Sequence, residues 1–200
     1  MIGLPLILVV QSTNADYFPL KPGCEWTYTV SYYRNLGSAK QVNRILEPVS
    51  IKGETVTPMS VRVDDGAEQI SYYAIKAGYI AIVSNSDQEL LPSPIPVLPL
   101  DPKIKSFEFS GGVQVLGGLT PSTTKSKIAG FEKTNVLGET KTALKVTRET
   151  TLGGGKQALI IKSTELYVAG IGMVFQRQET TGKDKSWAEY RLAAFKDGHS

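Results

Sequence analysis

Residues 26–32 read Trp26-Thr27-Tyr28-Thr29-Val30-Ser31-Tyr32, so that every second side chain is large and apolar. A period of two places those side chains on one face of a β-strand and the Thr and Ser residues on the other. The segment therefore predicts a half-buried strand from about Cys24 to Arg34. Val, Ile, Thr and Tyr recur along the rest of the chain, and this enrichment favours strands over helices.

Similar alternation, interrupted by short turns, predicts about ten strands. In the first half they cover residues 41–49, 59–63, 70–76 and 79–83, and Asp64-Asp65-Gly66 is typical of a hairpin turn. In the second half they cover residues 104–110, 127–133, 143–151, 158–167, 171–179 and 186–195. No apolar period of 3.6 residues extends over ten positions, so little helix is expected. We predict an all-β fold, an antiparallel meander forming one large curved sheet or open half-barrel, with a two-sheet β-sandwich as the alternative.

The segment from Leu90 to Pro102 interrupts the alternation with prolines at 92, 94, 96, 99 and 102. Proline cannot donate to a sheet ladder. We interpret residues 90–102 as a proline-rich surface crossing between two halves of one sheet system. Residues 16–200 are then a single all-β domain, a size that suits one hydrophobic core.

The first fifteen residues carry no charged side chain and include an apolar run from Ile2 to Val10. The run is too short for a membrane span of about 20 apolar residues but suits the core of a secretory signal. Thr13 and Ala15 provide small residues for cleavage, so residues 1–15 are predicted to be a signal peptide. A buried N-terminal strand is the alternative. The signal predicts an exported protein, periplasmic or extracellular, without a transmembrane span in the mature chain.

Composition restricts the partners and the chemistry. The formal net charge is +3, and Lys and Arg are interspersed with acidic residues, which argues against nucleic-acid binding. The single cysteine, Cys24, follows Lys21-Pro22-Gly23, which does not suit a lipidation site, so a buried structural role is expected. The single histidine, His199, lies one residue from the end. No nucleophile elbow, phosphate loop or dinucleotide motif is present. We therefore predict no catalytic residue, no metal site and no cofactor.

Carboxylate pairs keep a hydrolase as a remote alternative, because two acids suffice for glycoside hydrolysis. Asp64 and Asp65 are adjacent, but a hairpin turn would leave them in solvent. Glu89, Asp101 and Glu108 flank the proline-rich segment and could converge in a cleft.

Three segments carry a resemblance to a known family. They are Asp16-Tyr17-Phe18-Pro19-Leu20-Lys21-Pro22-Gly23 with Trp26-Thr27-Tyr28, residues 137–146 around Gly138, and Leu166-Tyr167-Val168-Ala169-Gly170-Ile171-Gly172-Met173-Val174. In order and spacing they resemble the YFPL-x-x-G-x-x-W-x-Y opening, a central strand entry and the WYAPGVGLV signature of exported bacterial proteins and lipoproteins of unassigned function. Ala169 replaces the proline of that signature. The resemblance implies export and a curved half-barrel similar to that of lipoprotein carriers, and it supplies no catalytic residues.

Aromatic side chains are the candidates for binding. A curved sheet without a covering helix must bury its concave face against its own strands, a partner or a ligand. We predict a non-enzymatic domain that binds a hydrophobic small molecule or lipid, with the candidate ligand-binding residues Trp26, Tyr28, Tyr72, Tyr167 and Phe175. The alternative is a structural or protein-interaction module of the cell envelope with a protein partner.

Overall fold

The computed structural model describes residues 13–33, 37–115, 118–155, 158–181 and 185–198. These residues form one 3₁₀-helix, Asn14–Tyr17, and thirteen strands. The strands of the first half are β1 (Glu25–Tyr32), β2 (Ser38–Ile45), β3 (Val49–Ile51), β4 (Glu54–Val63), β5 (Gln69–Lys76), β6 (Tyr79–Ser84) and β7 (Ile95–Pro99). Those of the second half are β8 (Ser106–Val115), β9 (Gly118–Val136), β10 (Glu139–Leu152), β11 (Leu159–Val168), β12 (Gly172–Thr181) and β13 (Ser186–Lys196).

All strands belong to one antiparallel sheet that is nearly closed into a barrel. The order is β7-β6-β5-β4-β2-β1-β13-β12-β11-β10-β9-β8, and β3 pairs with β4. The prediction of a single large curved antiparallel sheet is therefore confirmed, and the sandwich alternative is wrong. The first and last strands pair in the middle of the order, where Trp26 lies opposite Phe195 and Val30 opposite Tyr190.

One seam remains in the sheet, between its two edge strands β7 and β8, which approach each other. Leu98 of β7 and Phe107 of β8 belong to the same buried cluster, and the rings of Tyr79 and Phe107 are 5.6 Å apart. Side-chain packing therefore joins the two edges where the backbone ladder ends.

The proline-rich segment differs in part from the predicted surface crossing. Residues 95–99 form the edge strand β7, which pairs with β6, and Leu98 and Pro99 are buried. Pro96 and Pro99 are compatible with this strand because an edge strand leaves part of its backbone without a ladder partner. Residues 100–105 then connect one sheet edge to the other.

The residues before β1 lie across one end of the sheet. We call residues 13–23 the N-terminal plug. Its backbone is bound at that end because Asn14 N–H donates to the Leu100 carbonyl at 3.0 Å and Gly170 N–H donates to the Asp16 carbonyl at 2.8 Å. Gly23 N–H donates to the Ile45 carbonyl at 2.9 Å. The predicted signal peptide, residues 1–15, lies outside the described residues except for its last three, and its cleavage stays a prediction.

Cys24 connects the plug to the end of the chain. Its side chain is fully buried, as predicted, and its sulfur accepts a hydrogen bond from Gly198 N–H at 3.3 Å. Burial is the main cause that raises the pKa of the thiol. Cys24 is therefore a packing residue. His199 lies outside the described residues.

Candidate functional site

A cavity of about 330 Å³ lies inside the curved sheet. Its aromatic wall consists of Phe18, Trp26, Tyr28, Tyr73 and Tyr167. Its aliphatic wall consists of Pro19, Met59, Ile82, Ile95, Pro96, Val97, Gly172 and Met173. The lining is mostly apolar, as is usual for small-molecule sites.

The N-terminal plug forms the floor of the cavity. The Phe18 ring lies between two other rings, with centroids 5.3 Å from Tyr73 and 6.4 Å from Tyr167. The next residue, Pro19, packs against Gly172, where an added Cβ would be 3.3 Å from the Pro19 Cδ atom. The segment Tyr17–Leu20, which matches the YFPL motif, thus closes one end of the sheet with apolar side chains.

Three of the five candidate ligand-binding residues line this cavity: Trp26, Tyr28 and Tyr167. The indole N–H of Trp26 donates to the Ile171 carbonyl, and the Tyr28 hydroxyl donates to the Met173 carbonyl at 2.9 Å. These bonds fix both rings against the start of β12. Burial raises the pKa of the Tyr28 hydroxyl, which therefore stays protonated.

The other two candidates lie elsewhere in the fold. Tyr72 packs in a separate buried cluster with Ile51, Val56 and Val83, and its neighbour Tyr73 lines the cavity instead. Phe175 packs beside Val174 and Leu166, and the Arg191 guanidinium lies 4.9 Å from its ring centroid. Tyr72 and Tyr73 are consecutive on β5 and therefore point to opposite faces, and the sequence does not show which face is turned to the cavity because both rings are buried.

The cavity also has a polar wall, which the sequence did not lead us to expect. It consists of Asn43, Thr124, Arg148, Thr150, Glu165 and Gln176, from strands β2 and β9 to β12. Thr124 and Thr150, opposite each other on β9 and β10, share a hydrogen bond of 3.0 Å. Both lie near the ends of their strands that are remote from the plug, so the cavity is polar at that end. Asn43 lies opposite Trp26, nearer the floor.

Glu165 and Arg148 form a buried ion pair in this wall, with side chains 5% and 13% exposed. The Arg148 Nε–H donates to both carboxylate oxygens of Glu165 at 3.0 and 3.1 Å. The Tyr167 hydroxyl donates to Oε2 at 2.6 Å and the Ser163 hydroxyl to Oε1 at 2.9 Å. Each carboxylate oxygen is therefore well supplied with donors, as a buried charge requires.

The same arginine reaches across the seam. Its Nη2 donates to the Val97 carbonyl of β7 at 2.6 Å and its Nη1 to the Ser126 hydroxyl of β9 at 2.9 Å. The guanidinium also lies 5.5 Å from the Phe107 ring centroid on β8. Arg148 thus ties both sheet edges to the interior.

Burial and the neighbouring groups shift the pKa values of Arg148 and Tyr167 in this cluster. Burial is the largest influence and would lower the pKa of Arg148, but the interactions with Glu165 and Tyr167 together outweigh it, and the pKa is raised. Burial, followed by the Glu165 charge, raises the pKa of the Tyr167 hydroxyl. The cluster is therefore a paired cation and anion with a neutral phenol.

The acidic residues singled out in the sequence do not share this site. Asp64 and Asp65 are exposed in the turn between β4 and β5, as predicted, and the Asp64 carboxylate accepts from Lys40 N–H at 2.8 Å. Glu89 follows β6 at the end remote from the plug, whereas Asp101 follows β7 at the plugged end. Glu108 lines a polar groove beside Lys125 and Glu149. Among the described residues that line the cavity, Glu165 is the one carboxylate.

Comparison with known proteins gives a fold relationship. No family model matches the chain, and no curated protein matches it. The crystal structure of a presumed lipoprotein from Parabacteroides distasonis superimposes with a TM-score of 0.54 at 13% identity, over 90% of this chain and 98% of that one. The two chains share a fold. A presumed exported protein from Bacteroides fragilis, with a YmcC-like fold, gives a TM-score of 0.49 at 13% identity over the same shares.

Within the part of the chain that the structure describes, no helix has the length and apolar character needed to span a membrane.

Proposed function

We propose that this chain is an exported, non-enzymatic domain that binds an apolar molecule inside its curved sheet. The observation that carries the proposal is the cavity, which Phe18, Trp26, Tyr28, Tyr73 and Tyr167 line with ordered aromatic rings. Its volume of about 330 Å³ lies at the lower end of the range of roughly 300–1,000 Å³ for ligand pockets.

The volume limits the size of the ligand. The cavity is about twice the size of the roughly 150 Å³ apolar cavity that holds one benzene molecule. A molecule with about a dozen carbon atoms fits this space. A single acyl chain of medium length is therefore a better match than a lipid with several long chains.

Export is supported by the apolar, uncharged run at residues 2–10, and the periplasm or the extracellular space is the compartment we propose. The absence of an enzymatic role is supported by the state of Glu165, whose oxygens are occupied by Arg148, Tyr167 and Ser163. A carboxylate held in this way is poorly placed to activate water.

Native mass spectrometry of the protein purified gently from its host tests the proposal. We expect a copurifying apolar adduct that is lost in Ile95→Trp, because the larger side chain on the edge strand β7 fills the cavity. Leu159→Trp is the matched control, since Leu159 is 41% exposed and is not part of the cavity wall. An adduct-free wild-type protein that also fails to bind added apolar probes would refute the proposal and favour the envelope-interaction alternative.

A further inference from the structure

The charges of the cavity wall neutralise each other. Among the described residues that line the cavity, Arg148 and Glu165 are the charged ones, and they are joined directly through the Arg148 Nε–H. The other guanidinium nitrogens bind Val97 and Ser126. The wall therefore presents no net charge to an occupant.

An ionised head group would be unfavourable in such a wall. A ligand carboxylate or phosphate would have to lose water and then compete with Glu165 for a guanidinium that is already bound. A ligand cation would compete with Arg148 for Glu165 in the same way. Neither would gain a counter-ion, because the two charges are already paired with each other.

Uncharged hydrogen-bonding groups remain available in the same wall. The side-chain Nε2 of Gln41 donates to the side-chain Oδ1 of Asn43 at 2.9 Å. This leaves the side-chain N–H groups of Asn43 as donors. The Gln176 amide nitrogen faces Glu165 at 3.5 Å, which leaves the Gln176 carbonyl oxygen as an acceptor. The hydroxyls of Thr124 and Thr150 add groups that can donate or accept.

We infer that the cavity selects an apolar chain with an uncharged, hydrogen-bonding head group, such as a hydroxyl, amide or glycerol ester, over the corresponding anion. The inference rests on the proposed function, since it specifies the ligand class of the same cavity. The apolar chain lies toward Phe18 and Pro19 at the floor. The head lies toward Gln176, Thr124 and Thr150, away from the floor.

Two probes with the same chain and different heads test the inference. Binding of 1-monodecanoylglycerol and of sodium decanoate to the full chain is measured by isothermal titration calorimetry at pH 8, below their micelle concentrations. We expect the glycerol ester to bind at least about tenfold more tightly, the factor that corresponds to about 1.4 kcal/mol of desolvation cost for the unpaired carboxylate. Equal binding, or tighter binding of decanoate, would overturn the inference and leave the proposed function standing. Failure of both probes to bind would instead overturn the proposed function.

Glu165→Gln provides an independent check. The amide keeps a hydrogen-bond acceptor for Arg148 but removes the negative charge, so the cavity gains one uncompensated positive charge. We expect the affinity for decanoate, relative to that for the glycerol ester in the same variant, to rise at least about tenfold. An unchanged ratio of the two affinities in a variant with native circular dichroism would contradict the neutral-wall explanation. If the variant does not fold, the comparison of the two probes on the natural chain still tests the inference.

Discussion

Glu165 is the residue at which the hydrogen bonds of the interior converge. It accepts from Arg148, Ser163 and Tyr167 while its side chain is 5% exposed. Removing one partner of a buried pair leaves the other charge without compensation, which costs far more than the loss of an exposed pair. Position 165 should therefore be much more sensitive to substitution than the other acidic residues that form ion pairs.

Glu165→Ala is expected to lower the free energy of unfolding by about 3–5 kcal/mol, because Arg148 stays buried without its counter-ion. Urea denaturation followed by tryptophan fluorescence measures the change. Glu132→Ala is the matched control, since Glu132 pairs with Lys145 at 2.9 Å with side chains 41% and 35% exposed, and should cost less than about 1 kcal/mol. Similar losses of unfolding free energy in the two variants would show that the buried pair contributes no more to stability than the exposed pair.

Gly172 occupies a position that only glycine suits. Its φ is +96°, and an added Cβ would be 3.3 Å from both the Pro19 Cδ and the Trp26 Nε1 atoms. Gly172→Ala should destabilise the fold by about 1–3 kcal/mol through backbone strain and crowding of the plug. Thermal unfolding compares it with Gly154→Ala, a position with no atom within 4 Å of the added Cβ, where little change is expected. An unchanged melting temperature in Gly172→Ala would contradict the close packing of plug and strand.

Among the elements, β1 was the most accessible to prediction from the sequence because its inward side chains are all apolar. β9 shows the opposite case: it covers Gly118–Val136, whereas alternation predicted only residues 127–133. Its first part faces the interior with Ser122, Thr124 and Ser126, so the apolar signal disappears although the period of two continues. A strand whose inward side chains are polar cannot be recognised from the alternation of apolar residues.

The same reason explains which site residues were missed. Arg148 and Glu165 occupy inward positions in line with Val146 and Tyr167, two residues away on β10 and β11. The continued period of two could have indicated that both side chains point inward. Only the register of β10 against β11 shows that they are diagonal neighbours on paired strands. The choice of Tyr73 over Tyr72 likewise depends on which face of β5 is turned to the cavity, because both faces carry a large buried ring.

The N-terminal plug is predicted to stabilise the sheet through Phe18. Phe18→Ala removes ring contacts with Tyr73 and Tyr167 and should cost about 2 kcal/mol, less than the roughly 3–5 kcal/mol of a fully buried phenylalanine because Phe18 is half-buried. Chemical denaturation measures this loss. Asp16→Ala in the same segment changes an exposed side chain and keeps the backbone bond to Gly170, so it should be nearly neutral. Equal stability of the two variants would mean that the plug contributes little to the fold.

At the scale of the whole molecule, buried tyrosines determine the response to alkali. Burial raises the pKa of Tyr28 and of Tyr73, and burial with the Glu165 charge raises that of Tyr167. In the unfolded chain these phenols lose their protons near pH 10, whereas the folded protein retains them. The stability they contribute is complete below about pH 10 and is lost as the pH rises toward the folded values.

The free energy of unfolding should therefore fall above about pH 10 by about 1.4 kcal/mol per pH unit for each tyrosine that stays protonated in the fold. Urea unfolding at pH 9, 10 and 11 measures the slope, and absorbance near 295 nm reports tyrosinate formation. Tyr28→Phe should reduce the slope by the share of one tyrosine. Ionisation of all tyrosines near pH 10 with the fold intact would contradict the described burial.

The pairing of β1 with β13 has a consequence for how the chain is made. The sheet is joined at its middle by the first and last strands, while its edges belong to strands near the centre of the sequence. During synthesis the meander from β1 to β7 can form early, but the free side of β1 has no partner until the final strand emerges. A chain in which β13 has not yet formed therefore carries an open hydrogen-bonding edge along β1. That edge is where a holding chaperone would protect it from pairing with a neighbouring chain.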